Sequence, residues 1–173
     1  MLRIVSFFWQ LCLLRASPAS LPGTHTALGL ILVFYGVFAL IDVILTQPRH
    51  SVVAAIGIVV VGTLIQGLLT YSLLTFKQLA SRFYATWGAL LGTNAIMVLI
   101  LLPFHLANMN VENDQLRQFA DSALWVCFGW WLAIGGYIFH KAINISILQG
   151  AAIVFVIKLL SLIVTGTLFP PTT

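Results

Sequence analysis

Five runs of about twenty mostly apolar residues occupy most of this chain of 173 residues. The hydrocarbon core of a bilayer needs about 20 helical residues to cross it, so each run has the length of one crossing. Little of the chain is left between the runs, which places nearly every residue that could carry a function inside a membrane or at its edge. The pattern predicts an all-α fold: a polytopic membrane helix bundle with five transmembrane helices.

Charged side chains are scarce: Lys and Arg number 8, Asp and Glu number 4, and together they make up 7% of the chain. Soluble globular domains carry about 25% charged residues, so this inventory excludes a surface that faces water on all sides. The net charge of +4 is scattered and indicates no nucleic-acid partner. The predicted partners are the lipid bilayer and, beyond it, other membrane proteins or further copies of the chain.

Residues 1–26 precede the spans and predict a separate N-terminal unit. In a helix, Arg3, Ser6 and Gln10 would form a narrow polar stripe on an otherwise apolar cylinder. This stripe favours an amphipathic helix that lies in the membrane interface, followed by a turn rich in Pro and Ser. Two alternatives stay open, namely a cleaved secretory signal and a short re-entrant segment.

The boundaries of the runs follow from the polar residues and prolines between them. Pro103 is expected to end the third span, because proline lacks the backbone N–H that a helix interior uses. The predicted spans cover about 27–46, 52–75, 84–103, 122–140 and 145–168.

Basic residues predict the orientation of the bundle, since cytoplasmic loops carry an excess of Lys and Arg. Five of them fall on the side of the N-terminus and two on the opposite side: Arg3, Arg15, Lys77, Arg82 and Lys141 against Arg49 and Arg117. The distribution predicts a cytoplasmic N-terminus and a periplasmic C-terminus, and the small loops fit a bacterial inner membrane.

Two charged residues interrupt the predicted spans. At a rise of 1.5 Å per residue, Asp42 should lie about 8 Å outward of the midpoint of the first span, and Lys158 about 2 Å outward of the midpoint of the fifth. Each charge alone would cost about 2.5–3.5 kcal/mol to insert, which favours mutual pairing. The interpretations left open are a proton or ion relay, an anionic headgroup site at Lys158, a structural ion pair, and an Asp42 that reaches the outer interface.

Three uncharged polar side chains also fall within spans: Gln66, Asn94 and Gln149. Such groups form hydrogen bonds between helices, each of which stabilises a bundle by about 0.6 kcal/mol. Together with the charges, they could instead line a polar cavity. Gly88 and Gly92 form a GxxxG pattern that lets the third span approach another helix closely. Whether that contact lies within one subunit or between two is left open.

Outside the spans, Asp114, Arg117 and Asp121 have the spacing of an ion-pair ladder on a solvated helix. With Glu112 and His105 nearby, a divalent-cation site is the alternative. The histidines lack metal-ligand spacing, so no metal or cofactor is predicted. The two cysteines, Cys12 and Cys127, lie in different segments without CxxC spacing, which disfavours a redox enzyme.

The chain also resembles the Yip1 family of small membrane proteins. The likeness lies in the lead segment Trp9–Arg15 followed by Pro18 and Leu21-Pro22, and then in five hydrophobic helices with short loops. The resemblance implies a helical membrane protein. Eukaryotic members of the family are associated with membrane trafficking and small GTPases, and bacterial relatives are largely uncharacterised. No catalytic residue is carried over from the family.

The function predicted from these observations is a non-enzymatic integral membrane protein, acting as a scaffold or accessory subunit of a membrane complex. The alternative is a small transporter, channel or lipid-binding protein that uses the polar residues within its spans. An intramembrane enzyme would need a nucleophile–base pair or a metal set, and the motifs for these are not found in the sequence.

Overall fold

The computed structural model describes residues 2–21, 24–47, 49–109 and 114–170, except for the side chains of residues 2–5. Its long elements are all helices: α1 (Leu2–Cys12), α2 (His25–Thr46), α3 (Val52–Phe76), α4 (Phe83–Asn108), α5 (Asp114–Ile143) and α6 (Ile147–Leu168). Among the described residues, the five helices α2 to α6 are long and apolar enough to cross a membrane. The all-helical prediction with five long apolar helices is confirmed.

The five long helices form a closed ring in the order α2, α4, α5, α6, α3 and back to α2. A contact between α3 and α4 crosses this ring. Consecutive helices run in opposite directions, so the first residues of α2, α4 and α6 lie at one end of the bundle. We call this the inner end and the opposite one the outer end. α4 contributes the largest share of buried residues, because its inner half contacts neighbours on several sides.

Hydroxyl side chains determine where three of the helices begin. Thr24 accepts a hydrogen bond from the Ala27 N–H at the start of α2. Ser51 caps the start of α3 by accepting a backbone N–H in the same way. Ser146 begins α6 with a reciprocal capping box, in which Gln149 accepts a bond from the Ser146 N–H. Each cap satisfies a backbone donor that the first helical turn leaves without a partner.

The closest helix contact lies between α5 and α6. A Cβ atom added at Gly136 would lie 2.5 Å from the Ile147 carbonyl oxygen, and one added at Gly150 would lie 2.5 Å from the Gly136 carbonyl oxygen. The two backbones therefore touch directly. Asn144, between the helices, adopts the left-handed conformation with φ 56°, which Asn tolerates better than most residues. These glycines were not recognised from the sequence because they belong to no spaced pattern.

The third long helix does not end at Pro103, so that prediction is wrong. α4 continues through Pro103 to Asn108. Proline removes the N–H that would bond to the Leu99 carbonyl, but the helical bonds on either side of this gap continue the helix. Helices in apolar surroundings tolerate proline in this way. His105 lies in this additional turn of α4.

The N-terminal helix is part of the bundle and not a separate unit ahead of it, which corrects the expectation of an independent interfacial helix. Phe8, Leu11 and Cys12 belong to the same buried core as the long helices. Ser6 and Gln10, from the predicted polar stripe, are exposed. The stripe is narrow, so most of the α1 circumference is apolar and is stabilised by burial against α4 and α5.

The GxxxG glycines of α4 contact residues of this same chain. Gly88 lies against Leu21 and the side chains of α2, and a Cβ atom at Gly92 would collide with the Phe8 ring. The small residues thus make room for the N-terminal segment and α2, which places the contact within one subunit. Gly92 lies about 14 Å along α4 from the first residue of that helix. Because Phe8 contacts Gly92, α1 extends from the inner end well into the bundle.

Because the backbones of α5 and α6 touch at Gly136 and Gly150, one added methyl group there should destabilise the protein. Gly136→Ala should lower the free energy of unfolding by about 1–3 kcal/mol, because the backbones must separate to admit the Cβ atom. Gly129→Ala on the same helix meets nothing within 4 Å and serves as the matched control. Unfolding in mixed detergent, followed by circular dichroism, measures both. Equal loss in the two variants would contradict the backbone contact.

The docking of α1 predicts an unreactive thiol. Cys12 is fully buried, and burial raises the pKa of its thiol to about 12, so below that pH the nucleophilic thiolate is scarce. In a Cys127→Ser background, Cys12 should react with iodoacetamide at pH 8 far more slowly than the engineered thiol of Ser6→Cys in a chain lacking both native cysteines. Mass spectrometry gives the two rates. Similar rates would show that α1 leaves the bundle.

Candidate functional site

Asp42 of α2 and His105 of α4 meet near the outer end of the bundle. The Nδ1 atom of His105 lies 3.2 Å from Oδ1 of Asp42. The His105 side chain is 33% exposed and the Asp42 side chain is 19% exposed, so both are partly accessible from outside the protein. The contact links α2 to α4 through a hydrogen bond that becomes an ion pair when His105 is protonated.

His105 is the site residue whose partner the sequence did not reveal. The sequence pattern places this histidine in a connection beyond Pro103, near Glu112, where it would have no fixed relation to Asp42. Because α4 continues through Pro103, His105 is held on a regular helix that packs against α2. The available signal was the apolar pattern after Pro103, which continues through Phe104, Leu106 and Ala107.

Lys158 lies on α6, close enough to Asp42 for the two charges to interact through space. No carboxylate of the described residues lies within 4 Å of its ammonium group, and the direct partner of Asp42 is His105. The Lys158 side chain is exposed. The structure therefore brings the two charges of the spans into one region without forming the direct ion pair that their depths suggested.

Two hydroxyl groups extend this region toward the middle of the bundle. Tyr35 lies two turns before Asp42 on the same face of α2, within reach of its charge, and its hydroxyl neighbours that of Thr63 on α3. Thr63 also donates a hydrogen bond to the Val59 carbonyl at 2.6 Å. We call the set Tyr35, Asp42, Thr63, His105 and Lys158 the outer polar cluster.

A second group of polar side chains lies at the centre of the ring. The Trp131 indole N–H donates to Oδ1 of Asn94 at 2.8 Å. Gln66 and Asn94 line the same cavity, whose volume is about 10 Å³. This space admits at most one water molecule. Two of the three predicted polar residues thus come together, in an arrangement that joins helices and leaves no room for a solute.

Gln149 lies apart from both groups. Its side chain accepts the Ser146 N–H at 3.0 Å, at the start of α6. The role of this glutamine is to cap a helix at the inner end of the bundle. It therefore does not contribute to a cavity with Gln66 and Asn94.

The acidic residues after α4 begin a helix, as their spacing suggested. α5 starts at Asp114, where a negative charge is favourable at the positive end of the helix dipole. No ion pair joins Arg117 to Asp114 or Asp121 in the described part of the chain. An open hollow of about 450 Å³ lies beside them, lined by Asn108, Arg117, Gln118 and Asp121.

The predicted alternative of a divalent-cation site gains no support from the residues that the structure covers. Within them, no group of three or more His, Cys, Asp or Glu side chains is placed to hold a metal ion. Glu112, which belonged to that alternative, lies outside the described residues. His105 is directed to Asp42 and not to the acids of α5.

The chemistry available to the outer polar cluster follows from its composition. A carboxylate, an imidazole and an ammonium group, from three different helices, can exchange a proton or hold those helices in register. The comparisons of this chain with models of protein families, with curated proteins and with solved structures find no match. A function must therefore be argued from the described residues themselves.

The contact of Asp42 with His105 predicts energetic coupling between them. In a double-mutant cycle, Asp42→Ala and His105→Ala should together cost less than the sum of the single losses, by about 0.6 kcal/mol and at most about 1.7 kcal/mol. The control cycle pairs Asp42→Ala with His140→Ala at the inner end, where the losses should add. Free energies of unfolding in mixed detergent measure both cycles. Additive losses in the first cycle would contradict the contact.

Proposed function

We propose that this chain is a non-enzymatic integral membrane protein that acts as a scaffold or accessory subunit of a membrane complex. The observation that carries the proposal is the use of its polar side chains. Asp42 bonds to His105, Asn94 to Trp131, and Gln149 caps a helix. Polar groups engaged in this way stabilise a bundle, and among the described residues they enclose no chamber large enough for a substrate.

The size of the internal space supports the same proposal. The cavity lined by Gln66 and Asn94 measures about 10 Å³, whereas small-molecule sites measure about 300–1,000 Å³. The larger hollow beside Arg117 is open and lies at the outer end of the bundle. A protein of this kind contributes surface to an assembly more readily than it binds a solute.

The proposed membrane is a bacterial inner membrane, with the N-terminus cytoplasmic and the C-terminus periplasmic. In support, basic residues gather at the inner end, where Arg82 donates to the Ala142 carbonyl at 2.8 Å and Lys141 lies 5.5 Å from the Tyr137 ring centroid. Short cytoplasmic connections with such an excess are typical of this orientation. Kinship with the Yip1 family is proposed on the lead segment and the five helices alone.

The second candidate function is transport or lipid binding through the outer polar cluster. It is favoured by one observation, the convergence of Asp42, His105 and Lys158 from three helices. Proton-coupled transporters use such intramembrane groups. This candidate requires a conformation in which the space around the cluster becomes larger, and it predicts uptake by the isolated protein.

The test that separates the two candidates is purification from native membranes. An affinity-tagged chain, cross-linked in the membrane and extracted in a mild detergent, should carry a partner protein in a fixed molar ratio, as measured by quantitative mass spectrometry. An unrelated five-span membrane protein with the same tag is the control. If the chain emerges alone and its liposomes take up protons or a solute in a manner lost in Asp42→Asn, the scaffold proposal is overturned in favour of transport.

A further inference from the structure

Gln66 is a polar side chain at the centre of the bundle that makes no hydrogen bond with any of the described residues. It lies about 15 Å from the last residue of α3 at 1.5 Å per residue, far from the water at either end of the bundle. Its amide carries one carbonyl acceptor and two N–H donors. Because a polar group in apolar surroundings is costly without a partner, this amide needs one.

The space beside Gln66 matches one water molecule in size. Its volume is about 10 Å³, and a site for one buried water needs about 10–15 Å³. Four helices line this space, α3 with Gln66, α4 with Leu90, α5 with Ile134 and α6 with Val154. The three apolar side chains are buried. The small volume excludes lipid groups and larger solutes.

Asn94 supplies a second polar group to the same space. Its Oδ1 atom accepts the Trp131 indole N–H at 2.8 Å. Its amide nitrogen carries two N–H donors, and these make no hydrogen bond within the part of the chain that the structure describes. Two amides from different helices therefore line one water-sized cavity without bonding to each other, and Asn94 has a donor to offer where Gln66 has an acceptor.

We infer that this cavity is a binding site for a single water molecule that bridges α3 and α4. The water accepts a hydrogen bond from the Asn94 amide N–H and donates one to the Gln66 carbonyl oxygen. Buried waters satisfy polar side chains in this way when the cavity is polar and large enough for one molecule. This site lies beyond the proposed function, since it binds its water whether or not a partner protein is present.

The bridging water strengthens the contact that crosses the ring of helices. Next to Gln66, a Cβ atom added at Gly67 would lie 2.7 Å from the Trp87 ring, so α3 and α4 already approach each other closely there. The water adds a polar connection beside this apolar one. Through the bond from Trp131 to Asn94, the connection continues to α5, and one water molecule thus links three helices at the centre of the bundle.

Nuclear magnetic resonance of the full-length chain in lipid nanodiscs tests the site, with water itself as the probe. In wild type, the side-chain amide protons of Asn94 should show an Overhauser cross peak to water, with the sign of a bound and not a diffusing molecule. Gln66→Met should lose this cross peak, because it removes the acceptor at similar side-chain length. Gln66→Asn should retain it, because an amide still faces the cavity.

Two control variants make the result specific. Gln149→Met removes the glutamine that caps α6 at the inner end and should leave the cross peak unchanged. Thr93→Val removes a hydroxyl group that lines the cavity and could pass magnetisation to water by proton exchange. The cross peak should persist in Thr93→Val, because Gln66 and Asn94 still hold the water.

Three results would overturn the water site. The first is a wild-type protein whose assigned Asn94 amide protons show no cross peak to bound water. The second is a cross peak between the amide protons of Gln66 and Asn94, which would indicate that the two side chains bond directly. The third is loss of the water cross peak in Thr93→Val or Gln149→Met as complete as in Gln66→Met. Because the first two results come from wild-type protein, they do not require any variant to fold.

Discussion

Polar groups in this bundle are surrounded by apolar side chains, and that constraint governs the arrangement of its helices. A buried polar atom without a partner is costly, and the long helices offer few partners to choose from. The indole of Trp131 therefore bonds to Asn94, and the indole of Trp130 donates to the Cys12 carbonyl at 2.9 Å. Each of these bonds joins segments far apart in the chain, so satisfying the polar groups also specifies which helices are neighbours.

Small residues decide how closely those neighbours approach. Direct contact between Gly136 and Gly150 holds α5 against α6, and Gly92 admits the Phe8 ring from α1. With large side chains at these positions, the helices would separate and the hydrogen bonds between them would lengthen. Polar bonds and close contacts thus depend on each other. The inner half of the bundle is closed by both, whereas the outer half holds the two charged residues of the spans, Asp42 and Lys158.

Pro103 shows how a local rule and a global structure can disagree. Proline in a helix interior removes one hydrogen bond, and on that ground the helix was expected to stop. The segment beyond it remains apolar, the Phe104 ring contacts the Phe119 ring of α5, and His105 bonds to Asp42 of α2. These contacts stabilise the continued helix against the missing bond. The consequence extends to the candidate site, because His105 meets Asp42 only on a continued helix. The sequence thus pointed to Asp42 and Lys158 as unusual residues but not to the partner of either.

The amino-acid sequence by itself determined the number, the type and most of the boundaries of the long helices, because the length and composition of an apolar run are local properties. It also located the polar residues that interrupt them. The tertiary structure alone decided that Gln66 and Asn94 share a cavity, that Gln149 is a cap, that α1 belongs to the core and that His105 bonds to Asp42. These outcomes depend on which helices become neighbours, and that choice is made by packing between segments distant in sequence.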